Sequence, residues 1–204
     1  MNNTIILTGK LTDNLVLEYT YGQEQFYKTK ISTIRHSGAI DILPLIISNT
    51  LLHDKALEET ICVKGELRSR SVIIDNKRKH EMYVFVTEFL PVKEDIINNI
   101  VLTGFICKEP ILRTTPLGRN ICDIMLAVNR LNGRADYVPC IAWGRNAKYA
   151  SKLEVGTKVT ITGRFQSRSY DKTLDDNSIK QMTAYEVSIS YINIVTEGEQ
   201  NAIC

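Results

Sequence analysis

The chain of 204 residues is long enough to bury one core or two small ones of about 100 residues each. Its 44% hydrophobic and 24% charged residues are ordinary for a globular protein, and the net charge of +2 singles out no partner. The five cysteines include no Cys-x-x-Cys pair and no apolar run approaches the roughly 20 residues of a membrane span, so we expect no zinc, no cofactor and no membrane contact. Free thiols and an N-terminus without a signal-peptide pattern favour the cytoplasm.

An internal repeat divides the sequence into two copies. A shift of 95 residues aligns 3–46 with 98–141 without a gap, and twelve of these 44 positions are identical. The identities include Asn3/Asn98, Gly9/Gly104, Arg35/Arg130 and Asp41/Asp136. After a three-residue slip, VKGELRSR (63–70) lies over ITGRFQSR (161–168). We therefore expect one domain at 1–95, a second at 96–196 and a flexible tail at 197–204.

The second copy shows the pattern of a small β-barrel in chain order. Runs of apolar and β-branched residues predict strands at 100–104, 121–130, 137–143, 158–170 and 182–195. A turn region rich in proline and glycine follows the first strand, Leu131-Asn132-Gly133-Arg134 reads as a hairpin turn, and 171–181 reads as a long polar hairpin. The helix is expected at 145–153. Three strands, one short helix and two more strands are the order of the OB-fold, so the chain is expected to be mainly β, with two tandem five-stranded OB-fold barrels.

Basic residues are concentrated in the second copy. Residues 1–95 hold 12 Lys+Arg and 13 Asp+Glu, whereas 108–168 hold 11 basic and only four acidic residues. This excess indicates a polyanionic partner for the second copy, the alternative being a solvated basic surface.

Strand parity assigns side chains to the two faces of each strand, because alternate residues point to opposite sides. The rows predicted to face the barrel interior are Val159, Ile161, Gly163 and Phe165, and Val138, Cys140 and Ala142. The rows predicted to face outward are Lys158, Thr160, Thr162, Arg164, Gln166, Arg168 and Tyr170, and Tyr137, Pro139, Ile141 and Trp143.

Three outward aromatic residues, Tyr137, Trp143 and Tyr170, are therefore expected to share a face with arginines. An exposed ring can stack on an unpaired base of any sequence, and guanidinium groups stack as well as pair with phosphates. The set predicts a platform for single-stranded nucleic acid, with a core position under the helix as the alternative for Trp143. The basic residues expected to take part are Arg113, Arg119, Arg130, Arg134, Arg164, Arg168 and Lys172.

Three segments of the second copy carry family motifs. They are NNIVLTGFICKEPILRTTPLGRNICDIMLAVNR (98–130), DYVPCIAWGRNA (136–147) and GTKVTITGRFQSRSYDK (156–172). In order and spacing they resemble the bacterial and phage single-stranded-DNA-binding protein family. The resemblance implies sequence-independent binding and protection of single-stranded DNA in replication, recombination and repair, with stacking at Tyr137, Trp143 and Tyr170.

The chain departs from this family in three places. It has no Trp at 129–131, where the family often has another. The segment TEGEQNAIC (196–204) lacks the acidic tail through which the family recruits replication and repair proteins. Family members commonly have one barrel per chain and form tetramers, so two barrels per chain predict a homodimer that presents four.

The first copy lacks the aromatic platform. In the repeat, Ile42 stands for Tyr137, Ser48 for Trp143 and Val72 for Tyr170. Outward Ile42 and Ile46 suit burial against another barrel, so 1–95 is predicted to be a degenerate barrel with a structural and dimer-forming role. The run Lys77-Arg78-Lys79-His80 is interpreted as a solvated turn.

Other functions are less consistent with these residues. A nucleophile with a base at catalytic spacing, a phosphate-binding glycine loop and a metal-binding carboxylate cluster do not occur, so no enzyme is expected. The alternatives that stay open are a primosome assembly module for replication restart on the same fold and single-stranded RNA as the ligand.

Overall fold

The computed structural model describes residues 3–52, 60–74, 77–173 and 178–196, and both copies form their strands in the same order. The first copy contains β1 (Asn3–Leu11), β2 (Val16–Tyr21), β3 (Glu24–Ile34), β4 (Ile40–Ser48), α1 (Asn49–Leu52), β5 (Thr60–Ile74) and β6 (Lys77–Leu90). The second contains β7 (Asn98–Ile106), β8 (Ile111–Thr114), β9 (Asn120–Asn129), β10 (Ala135–Trp143), α2 (Gly144–Ala150), β11 (Lys158–Thr173) and β12 (Ile179–Ile194). Within these ranges, no helix is long and apolar enough to cross a membrane.

Each copy closes into a five-stranded ring. In the first, the hydrogen-bonded order is β3-β4-β6-β5-β1, and β1 pairs back with β3 at Lys10–Ser32. In the second, the order is β9-β10-β12-β11-β7, and β7 pairs back with β9 at Phe105–Ala127. The expected fold class, two tandem OB-fold barrels, is confirmed.

Glycine occupies the point where each ring closes. A Cβ atom on Gly9 would lie 2.0 Å from the carbonyl oxygen of Ser32, and one on Gly104 would lie 2.6 Å from that of Ala127. No side chain fits at either distance, so the backbones approach this closely only because both copies have glycine here.

The predicted elements differ from the observed ones at their margins. The turn region after β7 contains the short edge strand β8, which pairs with β9, and β2 is its counterpart in the first barrel. All four residues of β8 are exposed, so no alternation of apolar and polar residues marked it as a strand. The helix ends at Ala150 rather than 153, and β11 and β12 extend further into the expected hairpin.

The interior rows are confirmed, and two outward residues require correction. Val138, Cys140 and Ala142 are buried, as are Val159, Ile161 and Phe165. Ile141 and Gln166 were expected to face solvent, but each is only 4% exposed. Ile141 lies in mid-sheet, opposite Asp123 on β9 and Ser188 on β12. Gln166 donates a 2.8 Å hydrogen bond to Glu186. Parity gives the direction of a side chain but does not separate the covered centre of an outer face from its exposed margin.

Antiparallel pairing of β1 with β7 joins the two barrels. Ile5 lies opposite its own repeat counterpart, Ile100, so a pseudo-twofold axis passes between them. Beside this junction but within the first barrel, the Asn3 side chain on β1 donates to the carbonyl of Leu67 on β5 at 2.7 Å and accepts from its N–H at 2.9 Å. Asn98 makes the equivalent pair of hydrogen bonds to Phe165, at 2.7 and 3.0 Å.

Each barrel also extends a long hairpin onto the other. The first hairpin is formed by β5 and β6, and the second hairpin by β11 and β12. Asp41 of the first barrel accepts hydrogen bonds from Arg35 and from the backbone N–H of Ser167 in the second hairpin, both at 2.7 Å. Asp136 accepts in the same way from Arg130 and from the N–H of Ser69 in the first hairpin. The Arg and Asp identities of the repeat therefore belong to the junction between the barrels.

Candidate nucleic-acid interface

Two of the three expected stacking residues lie on the outer face of β10. Tyr137 is 51% exposed and Trp143 is 39% exposed, which excludes the core position considered for Trp143. The first hairpin fixes the backbone of Tyr137: its N–H donates to Ser69 Oγ at 2.9 Å, and its carbonyl oxygen lies 2.9 Å from His80 Nε2. Trp143 is the last residue of β10, immediately before α2. Both rings are therefore held on rigid backbone with a face open to solvent.

Tyr170 lies on the second hairpin, apart from the other two rings. β10 and β12 pair only from Cys140–Val187 to Ala142–Ile189, so the hairpin has separated from β10 before Tyr137 is reached. Three residues before Tyr170, Ser167 contacts Asp41 of the first barrel. The expectation of one face with all three rings is wrong, because the hairpin crosses to the other barrel.

The second hairpin has its own combination of ring and cations. The guanidinium carbon of Arg168 lies 5.7 Å from the centre of the Tyr170 ring, within the range of a cation–π contact. Tyr170 is 38% exposed, and Lys172 is exposed two residues further along the strand. A carboxylate oxygen of Glu186 lies 3.9 Å from Arg168 Nε, so this pairing is loose.

Two of the expected basic residues are already held by carboxylates. Arg113 donates to both oxygens of Asp123, at 2.5 and 2.9 Å. Arg130 makes a bidentate pair with Asp136 and also donates to the carbonyl of Ser69 at 3.1 Å. These carboxylate hydrogen bonds raise the pKa of both guanidinium groups. Arg130 has few donors left for a ligand and serves chiefly to hold the junction.

The remaining basic residues have free donors. Arg119 and Arg134 are exposed beside turns, and no carboxylate in the described part of the chain pairs with either side chain. Arg164 is half-buried, and its Nε atom has no hydrogen-bond partner among the described residues. Burial and the neighbouring Arg35 lower the pKa of Arg164.

Sequence reasoning missed an aromatic cluster on the outer face of the first barrel. The cluster consists of Tyr19, Phe26, Tyr83 and Phe85 around Ile46, which is 0% exposed. The centres of the Tyr19 and Phe26 rings are 4.7 Å apart and the rings are stacked. The expectation that Ile46 is covered by another barrel is wrong, because β2, β3 and β6 of its own barrel cover it. The outward parity of Tyr83 and Phe85 on β6 was the signal that could have revealed the cluster.

The arginines beside this cluster are neutralised within the first barrel. Arg68 lies 3.6 Å above the centre of the Phe85 ring and donates to Glu66 at 3.0 Å. Arg70 is bound by Glu81 and Glu18. The first barrel therefore has aromatic and basic residues on its outer face, but they are paired with one another or with carboxylates.

The basic run at 77–80 approaches the second barrel. His80 contacts the carbonyl oxygen of Tyr137, so the start of β6, which carries Arg78 and Lys79, lies beside an expected stacking residue. The interpretation of this run as a solvated turn is wrong, because all four residues belong to β6 and pair with β5. Among the residues that the structure describes, no group of three His, Cys, Asp or Glu side chains is placed to hold a metal ion.

This geometry, tandem OB-fold barrels with exposed rings and free cations on strands and hairpins, is that of a single-stranded nucleic-acid-binding protein. The model of the Single-strand binding protein family matches residues 97–195. Single-stranded DNA-binding protein 2 of Listeria monocytogenes is 33% identical over 113 residues, which are 52% of this chain and 68% of that protein. Single-stranded DNA-binding protein A of Bacillus subtilis is 36% identical over 83 residues, 37% of this chain and 48% of that protein.

The chain belongs to the single-strand binding protein family. It spans between about half and two thirds of the length of these relatives. The likeness of fold extends over both barrels: the wild-type single-stranded DNA binding protein from Thermus aquaticus superposes with a TM-score of 0.74 over 98% of this chain and 96% of that one, at 23% identity.

Proposed function

We propose that the chain binds single-stranded DNA without sequence preference, and that residues 96–196 form the main binding domain. The observation that carries this proposal is the exposure of Tyr137, Trp143 and Tyr170 on fixed backbone beside unpaired cations. Stacking is worth about 1–3 kcal/mol per base and tolerates any base, since every base has a π-face. The names of the relatives favour DNA over RNA and over a primosome assembly module.

The basic residues divide into two roles in this proposal. Arg119, Arg134, Arg168 and Lys172 contact phosphates directly, because their donors are exposed and free or loosely paired. Arg113 contributes less to phosphate binding, because Asp123 already neutralises it. Arg164 is half-buried and lines a groove together with Arg35 and Asn98.

The first barrel, residues 1–95, has a structural role in this proposal. Its outer arginines are neutralised by its own glutamates, which leaves little net attraction for phosphate. Ile40 and Ile42 remain exposed on β4, near the turn that joins it to β3. Contact between two copies through these residues would bury them and give a homodimer with four barrels.

The cellular role follows from binding alone, without catalysis. A protein that covers single strands in the cytoplasm protects them during replication, recombination and repair. The four cysteines at described positions are free thiols, which suits a reducing compartment.

Competition binding tests the proposal directly. A fluorescently labelled oligo-dT is bound to the full chain at a stated salt concentration, and unlabelled oligo-dT, oligo-U or duplex DNA is added. Oligo-dT is expected to displace the probe at the lowest concentration and duplex DNA at the highest. Equal displacement by duplex DNA would refute single-strand binding, and stronger displacement by oligo-U would make RNA the ligand.

A further inference from the structure

The pseudo-twofold axis produces two grooves where the barrels meet. One groove, of about 300 Å³, is lined by residues that include Arg35, His36, Asn98 and Arg164. The reciprocal groove is lined by their repeat counterparts, which include Arg130, Leu131, Asn3 and Glu66. The two grooves are therefore built alike, but where one has Arg164 the other has Glu66.

This difference leaves the first groove with an uncompensated positive charge. Asp41, buried beside the groove, already accepts from Arg35 and from the N–H and hydroxyl of Ser167. None of the hydrogen bonds that Asp41 accepts comes from Arg164. Among the residues that the structure describes, the buried Arg164 Nε atom has no hydrogen-bond partner, which is costly for a charged donor.

The reciprocal groove is balanced. Arg130 pairs with Asp136, and Arg68 pairs with Glu66 at 3.0 Å. Each cation there has its own carboxylate, so the groove has no comparable attraction for an anion.

We propose that the groove between Arg35 and Arg164 binds a phosphate group of the DNA backbone, and that the reciprocal groove does not. A phosphate there would accept from the terminal N–H groups of the Arg164 guanidinium, because its Nε atom is buried, and would offset the repulsion between Arg164 and Arg35. A volume of about 300 Å³ lies at the small end of ligand sites, suited to a phosphate with its sugar rather than to a base stack.

The position of the groove fits a strand bound to the second hairpin. Arg164, Arg168 and Tyr170 lie on the same face of β11, with Arg168 and Tyr170 about 13 and 20 Å beyond Arg164 at the rise of a β-strand. DNA stacked on Tyr170 would thus pass Arg168 before it enters the groove. The inference rests on the proposed function, and it makes the DNA path asymmetric across a nearly symmetric molecule.

Inorganic phosphate is the first probe. It is titrated into the full-length chain at constant ionic strength while the arginine Nε–Hε signals are followed by NMR, with Arg164 assigned from its loss in Arg164→Gln. The Arg164 signal is expected to shift saturably, whereas that of Arg68 in the reciprocal groove stays in place. No shift at Arg164, or an equal shift at Arg68, would overturn the proposal.

The salt dependence of oligo-dT binding separates DNA backbone from free phosphate. Arg164→Gln is expected to make the slope of log affinity against log salt concentration shallower by about 0.7. When the salt concentration rises fourfold, the wild type should therefore lose about 2.6 times as much affinity as the variant loses. Arg68→Gln, the matched control, should leave the slope unchanged. Glu66→Arg, which leaves both Arg68 and the new arginine without a carboxylate in the reciprocal groove, should steepen the slope by at least as much.

The possible outcomes distinguish failure of the groove proposal from failure of the proposed function. An unchanged slope in both Arg164→Gln and Glu66→Arg would show that the groove takes free phosphate at most, and the proposal fails while single-strand binding stands. A wild-type chain that does not bind oligo-dT would refute the proposed function, whatever the phosphate titration shows.

Discussion

Removal of the two tyrosines proposed to stack on bases gives the sharpest test of how much the aromatic rings contribute to DNA affinity. Tyr137 and Tyr170 lie on different elements, one held by the first hairpin and the other beyond the contact of Ser167 with Asp41. Each stacked base is worth about 1–3 kcal/mol, so Tyr137→Ala with Tyr170→Ala should lose about 2–6 kcal/mol. That loss corresponds to a rise in Kd of about 30-fold to about 2 × 10⁴-fold. Because the two rings share no partner, the single losses should add within about 0.5 kcal/mol.

Anisotropy of a labelled oligo-dT measures these losses at one fixed salt concentration. Ile42→Ala and Val72→Ala are the matched controls, since they stand at the repeat counterparts of the two tyrosines. These controls should leave Kd almost unchanged. If they weaken binding as much as the tyrosine pair does, both barrels read DNA equally and the proposed division of roles is wrong. A double variant no weaker than either single variant would show that the two rings do not bind separate bases.

Three further results are expected. Asp136→Ala breaks a buried ion pair and should lower the free energy of unfolding, measured in urea, by about 3–5 kcal/mol. Asp41→Ala should have a similar effect, because the pseudo-twofold axis relates the two residues, and a near-zero change in only one of them would contradict the symmetric junction. Arg134→Ala, which removes an exposed and unpaired cation, should reduce the salt slope by about 0.7, and Arg113→Ala should reduce it less; equal reductions would contradict the assigned roles. Light scattering at micromolar concentration should give two chains per particle and Ile40→Asp one; a wild-type monomer or tetramer would exclude the proposed dimer.

Much of the barrel architecture was predictable because local sequence patterns determine it. The row Val159, Ile161 and Phe165 alternates with polar residues, and all three are buried as strand periodicity requires. The turn before Arg134 has glycine at the position with φ of 77°, which a hairpin of this kind needs. Such features depend on neighbours in sequence and can be read without knowledge of the tertiary contacts.

The junction between the barrels was not predictable from the same patterns. The identity at Asp41/Asp136 was visible as a repeat, but its purpose depends on hairpins that cross between the barrels. This crossing also separates Tyr170 from the rings on β10. A residue's strand and parity are local properties, whereas the surface that it joins is decided by packing between distant segments.

The outer faces of the barrels also show what local sequence patterns do not predict. Ile46 and Ile141 both point outward, yet both are buried: an aromatic cluster of its own barrel covers Ile46, and Ile141 lies in mid-sheet between β9 and β12. Parity therefore overestimated the apolar surface left for a second chain. The exposed Trp143, in contrast, stands at the margin of its face, where direction and exposure agree.

Fluorescence of Trp143 tests the central claim most directly, because it is the only tryptophan in the chain. At 39% exposure the indole is accessible to a base, and stacking changes its environment. Addition of poly-dT to the full chain should quench its emission to saturation, and a rise in salt should reverse the quenching. Saturating poly-dT that is bound by an independent measure, yet leaves the emission unchanged, would contradict the account, because the DNA would then lie away from β10.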